Sequence, residues 1–259
     1  MVEGSVSLNE TKMDYVSFGR GEKALVIIPG LSLNRVKGFG ASLWYMYRKF
    51  TKEYTVYVFD RKDDIADGYT IEMMSDELAF AMRSLDIKDA YVVGISQGGM
   101  IAQYLAIHHP QLVCKVVLGV TCCRKNDKLE NAISDWITLM SKDMNLFIKD
   151  MLTRMYSKGY VKKFSWVFLF LGLFYKNVDQ KRFEILAKAC LTCDCYDDLD
   201  NISCPVLVLG GMQDEVIGKE GSLEIIERLG CSYYMYEDLG HSAYDEAKDF
   251  NDRIYHFFR

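Results

Sequence analysis

Short β-branched apolar runs alternate with longer stretches of helical periodicity, and this alternation constrains the fold of the chain more than any other feature. The runs are Ala24-Leu25-Val26-Ile27-Ile28, Thr55-Val56-Tyr57-Val58-Phe59, Tyr91-Val92-Val93, Lys115-Val116-Val117-Leu118, Pro205-Val206-Leu207-Val208-Leu209 and Ser232-Tyr233-Tyr234-Met235-Tyr236. Strands apolar along their whole length must be covered on both faces, and the helices between them supply the crossovers that a parallel sheet needs. The expected fold class is therefore α/β, with a mostly parallel central sheet flanked by helices. Ile71, Met74, Leu78 and Leu85 share one helical face, as do Leu223, Ile226 and Leu229. Residues 242–258 repeat the pattern less regularly and read as a final helix. Tyr15-Val16-Ser17-Phe18, with Gly19 and Gly21 behind it, reads as one arm of a hairpin leading into the Ala24 run. Pro29, Pro110 and Pro205 all fall at the inferred boundaries, where a missing N–H does least harm.

Between residues 121 and 198 the strand rhythm stops. Leu129, Ile133, Trp136, Ile137 and Met140 form one helical face, and Phe183, Leu186, Ala187, Cys190 and Leu191 another. A helical insertion over residues 121–198 is expected to fold across one end of a core made of residues 1–120 and 199–259. A chain of 259 residues can bury one large core, so one domain with an insertion is preferred to two domains.

The 31 basic and 36 acidic side chains are mixed along the chain and leave a net charge of -5, so no basic stripe is available for nucleic acid. Residues 1–7 have neither a basic nor an apolar leader region, and the chain is expected to be cytoplasmic. The longest apolar stretch, residues 164–175, would rise about 18 Å as a helix against roughly 30 Å of hydrocarbon, so no integral membrane segment is expected. The eight cysteines then read as reduced, space-filling thiols. Cys190, Cys193, Cys195 and Cys204 lack the paired spacing of a zinc site, and no metal is expected.

Gly94-Ile95-Ser96-Gln97-Gly98 lies between the Tyr91 run and an amphipathic stretch that ends at Pro110. A sharp strand-to-helix turn would force Ser96 into a strained backbone conformation, and glycines on either side would avoid the resulting clashes. The glycines could equally serve close strand–helix packing alone. At such a turn the first N–H groups of the helix have no internal partner and point at any anion forming beside the serine. Gln97 N–H is one candidate oxyanion donor, and Leu31 N–H, in the turn Ile28-Pro29-Gly30-Leu31, is the other.

A serine nucleophile needs a base. Of four histidines, His108 and His109 sit at a helix C-terminus and His256 in the last helix, whereas His241 follows the Ser232 run in a loop. Asp214 stands directly after the Val206 run, where it could also be a simple turn or cap residue. In a parallel sheet the loops after the Tyr91, Val206 and Ser232 runs emerge at one edge, so Ser96, Asp214 and His241 can converge. Glu215 and Asp238 are the other candidates for the acid.

These features resemble the α/β-hydrolase superfamily over nearly the whole chain. Gly94-Ile95-Ser96-Gln97-Gly98-Gly99 matches its nucleophile elbow, the order serine, acid, histidine matches its triad, and Gly211-Met212-Gln213-Asp214 and Gly240-His241 match its acid and histidine turns. Asp60-Arg61 after the second parallel strand resembles a common family turn. Pro29-Gly30 replaces the family's usual His-Gly at the oxyanion turn.

The resemblance implies acyl transfer to Ser96 with His241 as base and Asp214 as its orienting acid, no cofactor, and a variable cap at residues 121–198. The expected substrate is a small-molecule carboxylic ester or thioester with an apolar acyl part, which Trp136, Met140 and Trp166 would contact. The same scaffold could instead run carbon–carbon bond hydrolysis or a cofactor-free peroxidase-like reaction, or serve as a non-catalytic binding protein.

Overall fold

The computed structural model describes residues 1–164 and 178–259. All six apolar runs are strands: β3 (Lys23–Ile28), β4 (Tyr54–Lys62), β5 (Ala90–Ile95), β6 (Val113–Gly119), β7 (Val206–Gly211) and β8 (Ser232–Tyr236). Two further strands, β1 (Val2–Leu8) and β2 (Thr11–Gly19), complete an eight-stranded sheet of order β1-β2-β4-β3-β5-β6-β7-β8. From β4 to β8 every neighbouring pair is parallel, and β1 and β2 are added antiparallel at one edge.

The expected hairpin between β2 and the Ala24 run does not form. β2 pairs instead with β1 and β4, and β4 lies between β2 and β3. The short link after β2 arches over the start of β4: Arg20 N–H donates to Thr51 O (3.1 Å) and Thr55 Oγ1 to Gly21 O (2.7 Å). A Cβ at Gly21 would stand 1.9 Å from the Glu53 carbonyl carbon, and one at Gly19 2.3 Å from Tyr54 O. These glycines mark a close backbone crossing and not a hairpin turn. Asp60 and Arg61 also differ from expectation: they lie inside β4, which outruns β3 and pairs with β2 as far as Lys62.

Helices cover both faces. α2 (Ile71–Ser84), α3 (Gln97–His108) and α7 (Gly218–Leu229) press Ile71, Met74, Leu78, Ile101, Leu105 and Ile225 onto one side. On the other side α1 (Gly40–Tyr47) contributes Tyr47, and α9 (Phe250–Phe258) contributes Phe250, Ile254 and Phe258. The segment read as one final helix breaks into α8 (Ala243–Glu246) and α9. Between β6 and β7 the described residues hold α4 (Asp127–Lys142), α5 (Met144–Met155) and α6 (Gln180–Cys190). Asn126, Asp143 and Asp179 cap these helices by accepting from backbone N–H groups one turn in. Among the described residues no helix is long and apolar enough to cross a membrane; most of the apolar stretch 164–175 lies outside them.

Candidate active site

β5 ends and α3 begins within one residue, and that residue is Ser96, held at φ 54° and ψ -119°. A side chain there is strained, and the surroundings enforce it. Ser96 N–H donates to Gly119 O (2.8 Å), while its carbonyl accepts from Thr121 Oγ1 (2.8 Å) and from the Gly99 and Met100 N–H groups. A Cβ at Gly94 would lie 2.3 Å from Gly98 O, and one at Gly98 1.9 Å from Ile28 O. The motif glycines therefore let the helix start against the two central strands and leave Ser96 Oγ at the sheet edge.

At the same edge, the loops after β7 and β8 are zipped together. Met212 N–H donates to Tyr236 O (2.9 Å) and Gln213 N–H to Leu239 O (3.0 Å), which brings Asp214 beside His241. His241 Nδ1 is 2.8 Å from Asp214 Oδ2, and His241 Nε2 is 2.8 Å from Ser96 Oγ. Asp214 is 2% and His241 3% exposed. The other carboxylate oxygen, Asp214 Oδ1, accepts from Val216 N–H (2.8 Å) and Ile217 N–H (3.0 Å). A carboxylate so placed can only accept, which puts the imidazole proton on Nδ1 and leaves the Nε2 lone pair facing the hydroxyl. The other candidate acids stand apart: Glu215 pairs with Lys128 at the surface, and Asp238 is exposed. His108 and His109 face Glu72 and Asp76 on α2.

Gly30 brings the turn after β3 against the elbow, its Cβ position lying 3.2 Å from Ser96 Cβ. The Leu31 and Gln97 N–H groups have no acceptor among the described residues. The side chain of Gln97 is buried in a network that the sequence did not suggest: Oε1 accepts from Arg61 Nη2 (3.0 Å), and Nε2 donates to Leu186 O (2.6 Å) and contacts Cys190 Sγ (3.2 Å). Arg182, also buried on α6, donates to the carbonyls of Arg61, Lys62 and Asp63. The helix between β6 and β7 is thus tied to the residue that follows Ser96. No local sequence pattern marks this network, because its partners lie 36 and 89 positions apart along the chain. Burial pushes the Cys190 thiol up to about 11, which keeps it a neutral neighbour.

Two compartments meet at Gly30. A narrow one of about 40 Å³ is lined by Ser96, His241, Met100, Trp136, Phe183 and other apolar groups. A wide one of about 500 Å³ opens past Asn34, Phe39, Arg61, Gln97 and Arg182. Of the three residues expected to contact substrate, Trp136 lines the narrow compartment. Met140 is buried on α4 but does not line it, because Trp136 and Ile133, one and two turns earlier, occupy that position. Trp166 lies outside the described residues.

Comparison with known proteins places this geometry in a lineage. Over 257 residues the chain is 22% identical to 3-oxoadipate enol-lactonase 2 of Acinetobacter baylyi, covering 96% of this chain and 94% of that one. A Serratia proteamaculans protein provisionally named a carbamate hydrolase (RutD) is 31% identical over 145 residues, which is 52% of this chain and about half (49%) of that protein. Among solved structures, MGS-M2, an α/β hydrolase from a Medee basin deep-sea metagenome library, superposes with a TM-score of 0.88 at 21% identity, covering 98% of this chain and 97% of that one; this likeness concerns the fold. The family model described as the α/β hydrolase fold matches residues 23–185, which run from β3 through the elbow and into α6. With that match over more than half its length, and with the strand order already described, the chain belongs to the α/β-hydrolase family.

Proposed function

We propose that this protein is a serine hydrolase that cleaves a carboxylic ester or thioester through an acyl-enzyme on Ser96. The observation that carries the reading is the unbroken line from Asp214 through His241 to Ser96 Oγ, 2.8 Å at each step, at the end of a strained turn. In this reading His241 Nε2 takes the hydroxyl proton as Oγ attacks the acyl carbon, and the Leu31 and Gln97 N–H groups receive the oxyanion. His241 then returns the proton to the departing oxygen or sulfur. A water, deprotonated in turn by His241, releases the acid and restores Ser96. Asp214 holds the imidazole in its productive tautomer and stabilises the imidazolium. No metal or organic cofactor has a role in these steps.

The narrow compartment beside Ser96 supports a short apolar acyl group, with Trp136 as a wall, and α4, α5 and α6, from the cap expected at residues 121–198, enclose it. The Acinetobacter relative is named for a lactonase, which acts on a cyclic ester, and this is in keeping with acyl-oxygen cleavage. A panel of p-nitrophenyl esters of rising chain length, run beside matching thioesters, tests the reading. It predicts turnover greatest for the shortest acyl chains and lost in Ser96→Ala. Equal activity of Ser96→Ala and the parent protein would overturn it.

A further inference from the structure

Among the described residues beside the site, the guanidinium of Arg61 is left with incomplete hydrogen bonding. Arg61 is 6% exposed and lines the wide cavity. It donates through Nη2 to two neutral acceptors, Pro29 O (2.7 Å) and Gln97 Oε1 (3.0 Å). Its buried Nε has no acceptor, and no carboxylate pairs with it among the described residues. The charges around it are otherwise committed. Asp60 accepts from the Arg61 and Val36 N–H groups and pairs with Arg182 at 3.5 Å. Asp179 caps α6, and Arg35 pairs with Asp63. A buried charge that is only partly compensated is costly: burial lowers the pKa of Arg61, and the charge of Asp60, which Arg61 shares with Arg182, offsets this only in part. Nη1, which neither has an acceptor among the described residues nor is fully buried, is the end of the guanidinium open to an anion in the cavity, and such an anion would offset the charge.

We propose that the wide cavity receives a carboxylate carried on the leaving-group side of the substrate, bound by Arg61. The inference rests on Ser96 being the nucleophile. Arg61 grips Pro29 and Gln97, the immediate neighbours of the reacting position, and the cavity reaches Gly30, whose Cβ position is 3.2 Å from Ser96 Cβ. The narrow compartment, at about 40 Å³, has room only for a short acyl group, so the rest of the substrate extends into the cavity of about 500 Å³. With Nη2 engaged and Nε buried, Nη1 remains to make a charge-assisted hydrogen bond to a carboxylate. Asp60 and Asp179 in the same lining disfavour a dianion such as a phosphate monoester.

The test compares acetate esters of hydroxybenzoic acids with acetate esters of the corresponding methyl hydroxybenzoates, following phenol release at neutral pH with phenyl acetate as reference. The wild-type protein is expected to favour the free acid by about tenfold or more in kcat/KM, the usual reach of one charge-assisted hydrogen bond, although the methyl ester has the better leaving group. Arg61→Met should bring that ratio to one or below, with phenyl acetate reporting any accompanying disturbance of Gln97. A wild-type ratio of one or less overturns the proposal whether or not the variant folds, as does a ratio unchanged by Arg61→Met. Turnover of phenyl acetate without discrimination defeats the carboxylate site alone. Failure of every ester, with Ser96 inert, defeats the hydrolase reading and this proposal with it.

Discussion

Ser96 sits where backbone strain and chemistry meet, so the two can be separated by substitution. At φ 54° a β-carbon is disfavoured, and holding it there costs about 1–3 kcal/mol. Ser96→Ala should remove the acyl-enzyme with little change in stability. Ser96→Gly should also be inactive yet more stable than Ser96→Ala by at most about 1 kcal/mol, since glycine's greater unfolded-state entropy offsets part of the relief. Denaturant midpoints measure this, and a Ser96→Gly midpoint well below that of Ser96→Ala would count against the strain. For Asp214, replacement by Asn should lower kcat on the order of 10⁴-fold while the protein stays folded, because the amide favours the wrong imidazole tautomer. Asp238→Asn, at an exposed position, should leave ester turnover within about twofold; the reverse pattern would reassign the acid. Ser96, Asp214 and His241 were legible in the sequence because each follows an apolar run and a parallel sheet sends all three loops to one edge. Arg61 and the side chain of Gln97 were not, because their partners are carbonyls and side chains far along the chain, which no local pattern records.

At the level of elements, the strands were readable and their pairing only partly so. A run such as Val206-Leu207-Val208-Leu209 is apolar on both faces and announces a central parallel strand. Gly19 and Gly21, by contrast, signal tight backbone passage without saying over which strand the chain passes. Trp136 and Met140 were both expected to contact substrate, but only Trp136 lines the narrow compartment, whereas Met140, on the same helical face, packs elsewhere. Helix periodicity defines a stripe, and the neighbouring elements decide which part of the stripe meets the cavity. Trp136→Ala should therefore lengthen the best p-nitrophenyl ester substrate by a few carbons while costing about 3–5 kcal/mol of stability. An unchanged chain-length optimum in the folded variant would remove Trp136 from the pocket wall.

For the molecule as a whole, the sheet and the helices between β6 and β7 divide the work: one edge of the sheet holds Ser96, His241 and Asp214, and α4, α5 and α6 supply much of the wall around them. Exchanging residues 121–198 for the cap of another α/β hydrolase should change which esters are accepted but leave Ser96 open to a small phosphonate, provided the new segment restores a partner for Gln97. Loss of reactivity in a folded chimera would mean that the segment completes the reacting centre itself. The central claim, that Ser96 is a nucleophile activated by His241, is tested most directly by labelling the folded protein with a fluorophosphonate and mapping the adduct by peptide mass spectrometry. One adduct per chain, on Ser96, absent after heat denaturation and absent in His241→Ala, is the predicted result. A folded protein that takes up no label, or takes it up at a residue other than Ser96, would contradict it.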